Sequence, residues 1–86
     1  MNFGQALEAL KMRARVRRAG WNGKDAFIYL VPGSRFAVTR APLLGIYPEG
    51  TMIDYHPHVD MRTQTGECVP WLCSQTDLLA DDWEIV

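Results

Sequence analysis

Ala26-Phe27-Ile28-Tyr29-Leu30-Val31 is the stretch on which the reading of the fold turns. A nearly continuous run of apolar, β-branched and aromatic residues, stopped by Pro32-Gly33-Ser34, predicts a strand. On its N-terminal side, Ala19-Gly20-Trp21-Asn22-Gly23 predicts a tight turn, because glycine and asparagine tolerate positive φ. The alternating run Ala14–Arg18, centred on Val16, predicts a strand leading into that turn. Further back, Phe3, Ala6, Leu7 and Leu10 recur at helical spacing, and Asn2 with Gln5 forms a capping box, so a helix is predicted over 3–12. On the C-terminal side, Arg35–Thr39 is expected to return as the hairpin partner of the 26–31 strand. Residues 40–51, with Pro42, Gly45, Pro48 and Gly50, read as a loop that a neighbouring subunit would order. Met52–Tyr55 and His58–Thr63 are expected to be extended, and a turn at Gln64-Thr65-Gly66 lets Glu67–Leu72 pair back. Ser74 caps a short helix through Leu79, and Trp83–Val86 supplies a closing strand. The fold class is α+β: an N-terminal helix packed on a mostly antiparallel sheet, a short second helix near the C-terminus, residues 1–86 as a single domain.

With 86 residues, 48% hydrophobic and 22% charged, the chain has material for a core and is not of disordered composition. A domain this small buries a modest fraction of its surface, so an oligomer is expected. The net charge of −1 is unevenly placed. Residues 1–40 carry eight Lys/Arg against two Asp/Glu, and residues 41–86 one Arg against eight acids. Such halves either neutralise one another in the fold or leave the basic half to serve an anion. A sequence pI near 6.0 argues against binding duplex DNA or RNA. Glu8, Lys11, Arg13 and Arg15 exclude a signal peptide from the first fifteen residues, and no run is long enough to span a bilayer. Cys68 and Cys73 read as small apolar residues of a cytosolic chain, not as a disulfide framework.

Trp21 in a turn and Trp71 just ahead of a helix start are unusual placements for large rings. Either they stack on a nucleobase or they plug the core beneath a turn, and both readings stay open. Trp83, in a strand-like tail, reads as core. Ser74-Gln75-Thr76-Asp77 offers hydroxyls, an amide and a helix start beside Trp71, suited to a phosphate or ribose or simply to capping. Arg13, Arg15, Arg17 and Arg18 would either clamp a pyrophosphate or form a solvated or salt-bridged face. His56, His58 and Asp60 alternate, but H-x-H with C-x4-C matches no common structural zinc pattern, so a His–Asp pair in a binding cup is expected and no metal. Established catalytic signatures are missing, and nothing places a nucleophile beside a base. Binding is favoured over turnover, and no cofactor is expected.

Three stretches, joined by His58-Val59-Asp60-Met61-Arg62-Thr63, carry a resemblance. They are residues 1–10 (MNFGQALEAL), residues 18–24 (RAGWNGK) and the tail from Val69 to Glu84 with its P-W-L-x-S-Q-T-D. Together they resemble the second Thoeris anti-defence protein family of phages and prophages, across nearly the whole chain. The resemblance implies homotetramers acting in the cytoplasm of the bacterial host. They sequester glycocyclic ADP-ribose, a cyclic ADP-ribose isomer, without cleaving it, and in some members cyclic dinucleotides of the CBASS defence. It places the ligand at Trp21, Asn22, Trp71, Ser74 and Asp77, with Phe27, Gln75 and Thr76 as further contacts. The segment 32–56, including Arg35 and Arg40, departs most from the family. Two rivals stand beside the sponge: an enzyme using Asp60, Asp77 or His58 as acid or base, and a protein-interaction module anchored by its tryptophans.

Overall fold

Asn2 starts the fold as its capping box predicts. Its side chain accepts from the Gln5 amide at 2.9 Å, and the Gln5 side chain accepts from the Asn2 amide at 2.9 Å. Helix α1 follows over Phe3–Lys11. Arg13 ends it by taking φ 69°, a left-handed conformation that suits a helix exit, while the Ala14 amide reaches back to the Ala9 carbonyl at 3.0 Å. That exit occupies residues 12–14, so the first strand begins at Val16 and not at Ala14.

The computed structural model describes residues 1–21 and 25–86. After α1 come β1 (Val16–Arg18), β2 (Phe27–Val31), β3 (Ser34–Ala37), β4 (Met52–Tyr55), β5 (His58–Arg62), β6 (Cys68–Pro70), α2 (Gln75–Leu78) and β7 (Trp83–Ile85). Five strands form one sheet in the order β6-β5-β2-β1-β7, each neighbouring pair antiparallel, and β3 with β4 forms a separate antiparallel ribbon. The α+β class, the N-terminal helix on a mostly antiparallel sheet and the short second helix are all as the sequence predicts.

The expected hairpin between 26–31 and 35–39 does not form. The two edges of β2 are taken by β1 and β5, so the strand after Pro32-Gly33 leaves the sheet and pairs with β4 instead, Phe36 opposite Ile53. Gly33 permits the departure. A Cβ there would lie 2.7 Å from the Tyr55 carbonyl oxygen and 3.3 Å from the Pro57 ring, so no larger residue fits without moving backbone. Residues 32–57 therefore form an arm. It lengthens the molecule to 46 × 26 × 21 Å and raises the radius of gyration to 15.9 Å, against roughly 12 Å for a compact domain of this length. The 40–51 stretch carries hydrogen bonds of its own, such as Tyr47 amide to Leu43 carbonyl at 2.8 Å, and Val38 is buried beneath it.

Cross-strand register divides the main sheet into two faces. Val16, Ile28, Met61 and Val69 are successive partners on one face. Helix α1 covers that face, packing on β7, β1 and β2. The core there is Ala6, Leu10, Val16, Ile28 and Trp83, bordered by Phe3, Ala9, Trp21, Val59, Met61, Trp71 and Ala80. The opposite face carries Arg17 with Glu84, Phe27 with Arg62, Tyr29 with Asp60 and Val31 with His58. The Met1 and Trp83 backbones exchange hydrogen bonds at 2.8 and 3.0 Å, tying the start of α1 to β7.

Candidate functional site: a tryptophan cluster braced by carboxylates

Trp83 is the foundation. It is 2% exposed, sits on β7 against α1, and donates its indole N–H to the Asp77 carbonyl at 3.0 Å. Trp21 and Trp71 both stand edge-on to it, with centroids 5.3 and 6.0 Å away and interplanar angles of 77° and 87°. Phe3 packs on Trp71 and Trp83 from α1 at 6.2 and 5.5 Å. A rigid buried ring thus sets the positions of two half-buried ones. Edge-on aromatic contacts of this kind add about 0.5–1.5 kcal/mol each beyond burial. Trp21 and Trp71 pack against the core and keep partial exposure.

Asp77 joins this cluster to α2. Ser74 caps the helix by accepting from the Asp77 amide at 3.0 Å, as predicted. The Asp77 carboxylate accepts from the Trp21 indole at 3.1 Å and from the Arg18 guanidinium at 2.9 Å. Burial pushes its carboxyl up, but the hydrogen bonds from Arg18, Trp21 and Ser74 outweigh that and hold it below the usual carboxylate range. Asp82 is lowered as well, first by its hydrogen bond with Arg18 and then, against the effect of burial, by the Gly20 amide. A carboxylate held ionised in this way is a weak proton acceptor and a poor proton donor near neutrality, which suits it to hydrogen-bonding a ligand and not to acid–base chemistry.

Of the residues nominated from sequence, Trp21, Trp71, Ser74 and Asp77 come together, and Gln75 and Thr76 lie exposed on the same α2. Asn22 lies outside the described residues. Phe27 is not brought to the cluster: it belongs to the opposite sheet face, where the Arg15 and Arg62 guanidinium carbons stand 5.1 and 5.9 Å from its ring centroid. His58 and Asp60 pair at 3.4 Å on that same face, with His58 exposed, so the pair does not sit in a cup. Alongside them, Tyr29 is pushed up to about 12 by its hydrogen bond with Cys68, then by burial and nearby charge. The basic run divides: Arg17 pairs with Glu84 at 2.9 Å, and Arg18 turns to the acids near the C-terminus. Oppositely charged halves of the chain therefore neutralise one another here. Cys68 and Cys73 are free thiols, the latter pushed up by burial. A further groove, of about 780 Å³, lies on the arm between Phe36, Arg40, Pro42 and Tyr55.

Gly20 and Asp82 belong to the cluster although no motif in the sequence marks them as site residues, and Arg18, read from sequence as either a pyrophosphate clamp or part of a salt-bridged face, is ion-paired with Asp77 and Asp82. For Gly20 and Asp82 a signal was present: a glycine directly before Trp21, and the acidic pair Asp81-Asp82 directly before a core tryptophan in the acidic half. No helix among the described residues is long and apolar enough to cross a membrane.

Residues 1–86 match a family model described as the Thoeris anti-defense 2-like domain. Thoeris anti-defense 2 of Bacillus phage SP01 is 37% identical over 86 residues, which are 100% of this chain and 94% of the relative. A match that runs through α1, the sheet, the arm and the tryptophan cluster alike means that the chain belongs to the Thoeris anti-defense 2-like family.

Proposed function

We propose that this protein is a phage anti-defence protein that binds glycocyclic ADP-ribose immune signals in the bacterial host cytoplasm and holds them without cleaving them. The observation that carries the reading is the family match over the full chain. The geometry supports it: two half-buried indoles are suited to stacking on a base, and the Asp77 carboxylate beside them is suited to accepting from ribose hydroxyls. The lowered Asp77 carboxyl favours holding over turnover. Cyclic dinucleotides are a second ligand class within the proposal. A homotetramer is part of it too, supported by the exposed Ile46, Tyr47, Met52 and Tyr55 of the arm.

Titration calorimetry with glycocyclic ADP-ribose, followed by heating the complex and mass spectrometry of what is released, tests the proposal. Binding with intact ligand recovered is expected, and Trp21→Ala and Trp71→Ala should each remove about 1–3 kcal/mol of binding energy. An altered product would make the protein an enzyme. No heat with either ligand class would overturn the reading. Light scattering tests the tetramer.

A further inference from the structure

Arg18 connects the two carboxylates that hold the 19–21 turn. Its Nε donates to Asp82 at 2.7 Å and its Nη1 to Asp77 at 2.9 Å. Asp82 in turn accepts from the Gly20 amide at 2.9 Å, and Asp77 from the Trp21 indole at 3.1 Å. The turn's backbone and its ring are thus each held by a carboxylate, and one planar guanidinium holds both carboxylates. The fit is close: a Cβ on Gly20 would lie 2.9 Å from Asp82 and 3.4 Å from the Arg18 guanidinium. The side chains of Arg18 and Asp77 are only 17% and 15% exposed, so salt screens this pair less than it would a surface pair.

A second consequence is electrostatic. Asp77 and Asp82 together present two negative charges beside the ring proposed to stack on the ligand, and an ADP-ribose ligand brings a diphosphate. Uncompensated, the carboxylates would repel it, and Arg18 is the cation placed between them.

We infer that Arg18 is a positioning residue for the ligand site: its two-carboxylate fork sets the Trp21 ring, and its charge cancels one of the two carboxylate charges, lessening the repulsion that an approaching diphosphate meets. This rests on the proposed function, and the experiment separates the two.

The test uses the full chain as wild type, Arg18→Lys and Arg18→Gln. Lysine keeps the charge but, as a point donor, not the fork; glutamine keeps neither. Affinity for glycocyclic ADP-ribose is measured at about 50 mM and about 500 mM salt, spanning strong and weak screening. The Trp21 indole N–H resonance of the ligand-free protein reports the fork. Both variants should shift that resonance. Both should bind more weakly than wild type, Arg18→Gln by about tenfold or more at low salt, with Arg18→Lys several-fold tighter than Arg18→Gln and the gap closing at high salt. Lysine and glutamine variants equally weak at both salt concentrations would overturn the electrostatic role, and an unshifted indole would overturn the fork. If Arg18→Gln does not fold, Arg18→Lys still decides: wild-type affinity with an unshifted indole overturns the inference, and weaker binding at high salt with a shifted indole supports it. If wild type itself binds no ligand, the function and the ligand role fail together, whereas the indole shift still judges the fork.

Discussion

Removing the Asp77 carboxylate should destabilise the fold by an amount that pH can switch off. Asp77→Ala deletes the acceptor of two hydrogen bonds, one from the Trp21 indole at 3.1 Å and one from the Arg18 guanidinium at 2.9 Å. A neutral hydrogen bond is worth about 0.5–1.5 kcal/mol net, and one involving a charge about 1.5–3 kcal/mol. Two features reduce the loss. Arg18 keeps its bond to Asp82, and the Asp77 backbone keeps both the Ser74 cap and the Trp83 indole. A cost of about 2 kcal/mol results, or a Tm lower by about 10 °C in a domain of this size. The sign of the pH dependence follows from the lowered carboxyl of Asp77 in the fold. Its contribution is complete above the unfolded value, about 3.9, and disappears as pH falls through the lower folded value. Circular-dichroism melts of wild type and variant at about pH 7 and about pH 3 read both effects. The gap should be wide at neutral pH and narrower in acid. A neutral-pH gap under about 3 °C, or an equal gap at both pH values, would refute the reasoning.

Other perturbations test the frame that holds the site. Ile28→Ala removes a fully buried side chain on the central strand β2, where Val16 and Met61 flank it, and should cost about 3–4 kcal/mol in a denaturation series. Gly33→Ala drives a Cβ to 2.7 Å from the Tyr55 carbonyl, and should lower stability by about 1–3 kcal/mol and speed hydrogen exchange in the arm more than in the main sheet. Asn2→Ala removes the cap of α1 and should cost about 1 kcal/mol, with faster exchange confined at first to the helix N-terminus.

Much of this protein is set by residues close together in the chain. The Asn2–Gln5 capping box, the Ser74–Asp77 cap and the apolar run that becomes β2 depend on contacts within a few residues or on a repeating pattern, and their elements lie within a few residues of expectation. Trp83 was legible as core for the same reason, since a tail of alternating pattern has an inner face. The sequence also held the residues of the cluster: Trp21, Trp71, Ser74 and Asp77 were each distinguishable as large rings in turns or as cap chemistry. Their mutual arrangement was not legible, because it depends on Arg18 reaching across 59 residues to Asp77 and 64 to Asp82.

Tertiary structure alone decided three matters. Phe27 went to the far face of the sheet because strand alternation puts neighbours of Ile28 opposite the core, and burying Ile28 beneath α1 settles which face that is. The partner of β3 changed because both edges of β2 were already filled, a competition between strands that no local pattern encodes. The basic and acidic halves neutralised one another because antiparallel β1–β7 pairing sets Arg17 opposite Glu84 and brings Arg18 beside the acids that flank β7. Local propensity and spacing determine which elements form and which side chains are unusual. Which of those side chains meet is decided by strand order and register, because only they bring residues distant in sequence within reach of a hydrogen bond.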